Sequence, residues 1–162
     1  MQIQIQDICQ ADQQTIGQLV RGLWGDELIL VHGESYHTAS LHGLKAVREA
    51  EIVGFLHYQV EEGDCEILTL AAVHKKQGIG TALVNAIELV ARSNGCIKLK
   101  VTTTNDNLGA LVFYQRCGFL LSGVGLGLVD EARKQKSSIP IIGDHNIPIH
   151  DEIYFEKDIT GS

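Results

Sequence analysis

Proline is almost missing from this chain. Of 162 residues only Pro140 and Pro148 are proline, and no Pro-, Gly- or Ser-rich stretch divides the sequence. That excludes a composition-marked linker and predicts one domain over 1–162, with no internal repeat. Cysteine is sparse too. Cys9, Cys65, Cys96 and Cys117 show no C-x-x-C spacing, so reduced thiols in the cytoplasm are expected. No apolar run approaches the roughly 20 residues of a membrane span. The opening MQIQIQDICQ has no basic-then-apolar leader, so neither a membrane nor secretion is expected. Positive charge is in deficit, 13 Lys and Arg against 20 Asp and Glu. The resulting net charge of −7 argues against a nucleic-acid partner and suits a cationic substrate. What is present, 44% hydrophobic residues, suffices for one buried core.

The most informative segment is Lys75-Lys76-Gln77-Gly78-Ile79-Gly80-Thr81. Upstream, the mostly apolar run 66–73 reads as a buried strand. Downstream, Ile79, Ala82, Leu83, Ala86, Ile87, Val90 and Ala91 recur at helical spacing, and Asn94-Gly95 closes that helix. Ile97, Leu99 and Val101 then alternate with Lys98, Lys100 and Thr102, a half-buried strand. A glycine turn opening a helix presents bare backbone N–H groups, and the helix dipole adds about half a positive charge. With two lysines and the Thr81 hydroxyl beside it, this turn is suited to a phosphate or pyrophosphate.

Next comes Asn107-Leu108-Gly109-Ala110-Leu111-Val112-Phe113-Tyr114-Gln115-Arg116-Cys117-Gly118-Phe119. Together, [Gln/Arg]-x-x-Gly-x-[Gly/Ala] at a helix start, followed by Asn-x-x-Ala-x-x-aromatic-Tyr-x-x-x-Gly-Phe, resemble the GNAT N-acetyltransferases over residues 52–120. The resemblance implies acetyl-CoA as co-substrate and no metal. It implies that Lys75, Lys76, Gln77, Gly78, Ile79, Gly80 and Thr81 hold the pyrophosphate. Leu70, Ala71, Ala72 and Val73 would offer backbone groups to pantetheine, with Asn107, Ala110 and Tyr114 along the cofactor arm. Asn107 reads equally well as a plain helix cap. Lys75 stands where arginine or glutamine is usual and loses the planar fork of arginine. The link into the turn is two or three residues shorter than the common pattern and lacks its proline. Which backbone groups between Leu70 and Lys76 face the cofactor therefore stays open.

The implied fold is α+β: a mixed, mostly antiparallel central sheet with flanking helices, in which strands 65–73 and 97–103 run parallel and splay. Elsewhere, 2–8 alternates as an edge strand, a helix runs from about Asp12 to Gly25, and 28–31 is a possible strand. Residues 32–42 read as a loop. Segments 44–48 and 52–60 form a hairpin, 130–136 a short helix, and 152–157 a closing strand. Exposed strands at the sheet ends would allow a homodimer. His32, His37 and His42 are spaced five apart, which no regular element gathers on one face, so no metal is expected.

The implied reaction moves an acetyl group to a primary amine, on a small molecule or a protein, directly in a ternary complex. An alkylamine of pKa near 10.4 is protonated at pH 7, and making it neutral costs roughly 4–5 kcal/mol. A base is needed. Glu66 is the first candidate, against a plain exposed strand-end carboxylate; Asp64 and Glu152 are reserves. Tyr114 would hydrogen-bond the departing sulfur rather than ionise, since tyrosine near pKa 10 is about 1.5 units above a thiol near 8.5. Otherwise it is a core tyrosine. Tyr36, His37, His145 and Glu152 are candidates for the acceptor pocket. A noncatalytic acyl-CoA-binding module, keeping the turn but not needing Tyr114, is the alternative. A nucleotide-binding protein ranks below both, because no Gly-x-x-x-x-Gly-Lys-[Ser/Thr] is present.

Overall fold

The computed structural model describes residues 2–161. Strand β1 (Gln4–Asp7) leads through a single 3-10 turn to helix α1 (Gln13–Trp24). Then come β2 (Leu28–Val31), β3 (Glu34–His37), β4 (His42–Arg48), β5 (Glu51–Glu61) and β6 (Asp64–Ala72). Helix α2 (Ile79–Ser93), β7 (Lys98–Thr104), α3 (Leu108–Arg116), β8 (Leu120–Gly125), α4 (Leu128–Gln135) and β9 (Glu152–Asp158) complete the order. The main sheet runs β1-β4-β5-β6-β7-β9-β8, antiparallel throughout except for β6 with β7. The mixed, mostly antiparallel architecture expected from the sequence is what forms.

The two faces of the sheet bury different partners. Cys65 and Ile67 of β6, Leu99 and Val101 of β7 and Phe155 of β9 pack with Ile79, Leu83, Val84, Ile87 and Ala91 of α2. Each large aliphatic side chain buried there contributes about 1.5–3 kcal/mol. On the other face, Ile16 and Val20 of α1 close over Phe55, with Trp24 edge-on to that ring at 6.0 Å. Because side chains alternate along a strand, Glu66, Lys100, Thr102 and Tyr154 project on this second face.

The parallel pair is short. β6 and β7 align only from Asp64 opposite Lys98 to Ile67 opposite Val101, although β6 continues to Ala72 and β7 to Thr104. Where they part, β6 carries a bulge. His57 faces Thr69 and Tyr58 faces Ile67, leaving Leu68 as the extra residue. A bulge bends its strand, and this one turns β6 away from β7 into an open gap.

One expectation is corrected. Residues 32–42 are not a loop, since β2 and β3 form an antiparallel hairpin outside the main sheet, with Val31 opposite Glu34. Its turn is His32-Gly33, both at positive φ (54° and 77°), the two-residue geometry that matches strand twist. Glu-Ser-Tyr-His in β3 carries no apolar alternation, and only Tyr36 of the four is partly covered, so periodicity had nothing to report. Helix α4 also starts two residues earlier than 130, capped by Gly127 at φ 71°.

Candidate active site

The glycine turn ends where β6 leaves the sheet. Gly78 caps α2 at φ 77°, a left-handed conformation that a β-carbon disfavours, although open space surrounds it. Gly80 is needed for another reason: a β-carbon there would meet the Phe113 ring at 3.1 Å, so its absence lets α3 lie against the start of α2. The first amide of this region to find a protein acceptor is that of Ala82, bonded to the Gly78 carbonyl at 3.0 Å. Among the described residues, the amides of 76–81 donate to no protein group. A run of free N–H groups at the positive end of a 15-residue helix fits an anion. These donors fit the pyrophosphate that the resemblance implies.

The β6 backbone divides by alternation. The Val73 amide is taken by the Val53 carbonyl at 2.8 Å, so it faces β5 and not the gap. Ala71, two residues earlier, has the same orientation. Leu70 and Ala72 therefore present their N–H and C=O groups to the gap that β7 has left. Of Leu70, Ala71, Ala72 and Val73, the choice the sequence left open, Leu70 and Ala72 are thus the two whose backbone groups turn away from β5.

Beyond the gap stands α3. Asn107 caps it, its Oδ1 accepting from the Ala110 amide at 3.1 Å, so the capping reading of Asn107 holds and that Ala110 N–H is occupied. Tyr114 is 6% exposed, edge-on to Phe113 and Phe119 and tilted against Phe155 at centroid distances of 5.1, 5.5 and 5.7 Å. Burial above all, then the neighbouring Cys117, holds its pKa well above tyrosine's ordinary range, so it stays a hydrogen-bond donor.

On the second face of the sheet a polar cluster gathers around Glu66. Rather than lying exposed at a strand end, the Glu66 side chain is 14% exposed and its Oε2 lies 2.8 Å from His32 Nε2. His32 Nδ1 lies 3.8 Å from Glu152 Oε1, and the His32 amide donates to Glu152 Oε2 at 3.4 Å. The Tyr154 hydroxyl donates to Glu152 Oε1 at 3.0 Å, and Thr102 Oγ1 lies 3.3 Å from His32 Nε2. Beside them, Tyr36 donates to Glu34 at 2.7 Å and accepts from Gln59 Nε2 at 3.1 Å. Burial first, then an adjacent glutamate, pushes Tyr36 and Tyr154 each up to about 12. Lys100, the nearby full cation, is paired with Asp64 at 2.9 Å. A groove of about 170 Å³ between Gln59, Glu61, Glu62, Asp64, Lys100 and Glu66 opens onto this cluster.

So the structure brings Glu66, Glu152 and Tyr36 together. It does not bring in His37, which is exposed opposite Leu28, or His145, which sits in a turn anchored by the Asp144 amide on Asp106 near the start of α3. Sequence reasoning missed His32, Thr102 and Tyr154. The available signal was the His-Gly pair at 32–33 between two short strands. Among the described residues, no group of three or more His, Cys, Asp and Glu could hold a metal ion.

The profile of the Acetyltransferase (GNAT) family matches residues 11–119. The uncharacterized Bacillus subtilis protein YxbD is 35% identical over 152 residues, covering 93% of this chain and 96% of its own. A GNAT family acetyltransferase from Elizabethkingia anophelis, solved with acetyl-CoA bound, superposes with a TM-score of 0.72 at 20% identity, over 96% of this chain and 97% of that one. The ribosomal-protein-S18-alanine N-acetyltransferase from Escherichia coli gives 0.72 at 14% identity, over 99% and 96%. With the profile spanning most of the chain and a relative above 30% identity along nearly its full length, this protein belongs to the GNAT family of acetyltransferases.

Proposed function

We propose that this chain transfers an acetyl group from acetyl-CoA to a primary amine, directly and within a ternary complex. The observation that carries the reading is two-sided. Amides without protein partners follow the end of β6 at the α2 N-terminus, and a largely buried carboxylate cluster sits around Glu66 on the same strand. Acetyl-CoA, when bound, supplies an acetyl group activated as its thioester. The amides of 76–81, with Lys75 and Lys76, hold the pyrophosphate, and Leu70 and Ala72 hold pantetheine and polarise the thioester carbonyl. Glu66 takes the ammonium proton so that the nitrogen can attack. Tyr114 donates a hydrogen bond to the leaving sulfur.

An acyl-enzyme finds no support in the cysteines. All four are free, and burial raises Cys65 to about 12 and lifts Cys96 and Cys117 above the usual thiol range. The acceptor we infer is a cationic amine, small or on a protein, because Glu34, Glu66 and Glu152 surround the site and Lys100 is engaged by Asp64. Cytoplasmic location fits the free thiols, and no described helix is long and apolar enough to cross a membrane. The test is release of free thiol from acetyl-CoA across a panel of diamines, amino acids, amino-sugars and lysine peptides. Thiol release that needs an amine and yields one acetylated product supports the reading. Binding of acetyl-CoA with no turnover on any amine sinks it in favour of a binding module.

A further inference from the structure

Resting on that reading, we propose that His32 carries the substrate's proton from Glu66 to solvent, so that the β2–β3 hairpin supplies the second member of a proton relay. The geometry is continuous. His32 Nε2 is 2.8 Å from Glu66 Oε2, and its ring reaches outward at 43% side-chain exposure, against 14% for Glu66 and 7% for Glu152. Converting an ammonium and a thioester into an amide and a thiol sheds one net proton per turnover. A carboxylate with so little contact with water has to be emptied before the next cycle. Histidine is the side chain whose charge most readily changes near neutral pH, and one is held against the carboxylate that fills.

The steps balance. The ammonium N–H bond breaks with its electron pair staying on nitrogen, and the proton forms an O–H bond on Glu66. That O–H bond breaks as Nε2 of the neutral Nδ1–H imidazole takes the proton, and Nδ1–H then releases one to water. Exchange of both ring protons with water returns the Nε2–H form to the Nδ1–H tautomer before the next turnover. The groups facing the ring are Glu66 of β6, Glu152 and Tyr154 of β9 and Thr102 of β7, while on its own hairpin Glu34 and Tyr36 pair with each other. The tilted Tyr154 ring, 5.1 Å away, flanks the imidazole. Two features hold the imidazole in place: the left-handed backbone at φ 54° and the amide contact to Glu152.

The variant His32→Asn tests this, because asparagine suits the same turn and keeps the hairpin. On the amine that the wild type acetylates, kcat should fall about 10- to 100-fold, with the KM for acetyl-CoA unchanged. Added imidazole should restore part of the loss, and the pH profile of kcat/KM should change. A variant with wild-type kcat overturns the relay, as does a loss that neither imidazole nor pH alters. A wild type inactive on every amine defeats the acetyltransfer reading and the relay together. An active wild type beside an equally active variant defeats the relay alone.

Discussion

The cofactor half and the acceptor half proposed for this site are built from different materials. At 76–81 and along Leu70 and Ala72, the groups proposed to hold acetyl-CoA are backbone groups, from two neighbouring segments of chain and from one helix end. Around Glu66, the groups proposed to meet the acceptor are side chains from a hairpin, β5, β6, β7 and β9, with His32 and Glu152 separated by 120 positions. Backbone donors tolerate changes of side chain and suit an invariant ligand. A cluster of side chains can be altered one residue at a time and suits a ligand that varies.

Substitutions can break the comparison, and the largest effect belongs to the acceptor half. Glu66→Gln should lower kcat by about 10²- to 10⁴-fold while leaving the thermal shift given by acetyl-CoA intact. A parallel loss of acetyl-CoA binding would show that the halves are not separate.

The floor common to both comes second. His57 is buried beside Thr69 at the bulge, its Nδ1 2.7 Å from Thr69 Oγ1, and burial lowers its pKa to about 4. The unfolded chain, near 6.5, then binds the proton first as pH falls. Stability is full above about pH 6.5 and is lost on descending toward 4, by about 3 kcal/mol for this group. Urea unfolding between pH 7 and 4.5 should show that loss. His57→Gln should flatten the slope in this window, and an unchanged slope would assign it to other groups.

Gly78→Ala is the third test, directed at the cofactor half. It forces a β-carbon into left-handed backbone at a cost of about 1–2 kcal/mol, so acetyl-CoA affinity should drop roughly tenfold if the turn relaxes. Isothermal titration reads this, and the amine KM should not move. The smallest effect is expected from Tyr114→Phe. Losing one hydrogen bond of about 1.5 kcal/mol lowers kcat roughly tenfold at constant acetyl-CoA Kd. An unchanged kcat would return Tyr114 to the core.

The same difference of material explains what can be read from sequence. The proposed cofactor half is legible because Gly78 and Asn107 act within a few residues of their own positions, and because α2 declares itself by a stripe of buried aliphatics. The parallel β6–β7 pair follows from the strand–helix–strand order. Not legible is the division between Ala71 and Leu70, which depends on a one-residue bulge that no local pattern marks. The acceptor half is hidden for another reason. Glu152 and Glu66 are visible as residues, but their meeting at His32 needs the register of β6, β7 and β9 together with a polar hairpin. His145 shows the converse: a histidine in a late loop suggests a pocket, whereas the loop is tied to Asp106 and Asn105 instead.

β2 and β3 pair with each other and with no strand of the main sheet, so the segment that brings His32 and Tyr36 to the carboxylates is held to the body by side-chain bonds rather than by a strand ladder. On the proposed function, exchanging residues 28–37 between relatives should change the amine preference and leave acetyl-CoA binding as it was. A lineage could thus shift from one acceptor to another through a ten-residue swap, without reopening the sheet beneath it.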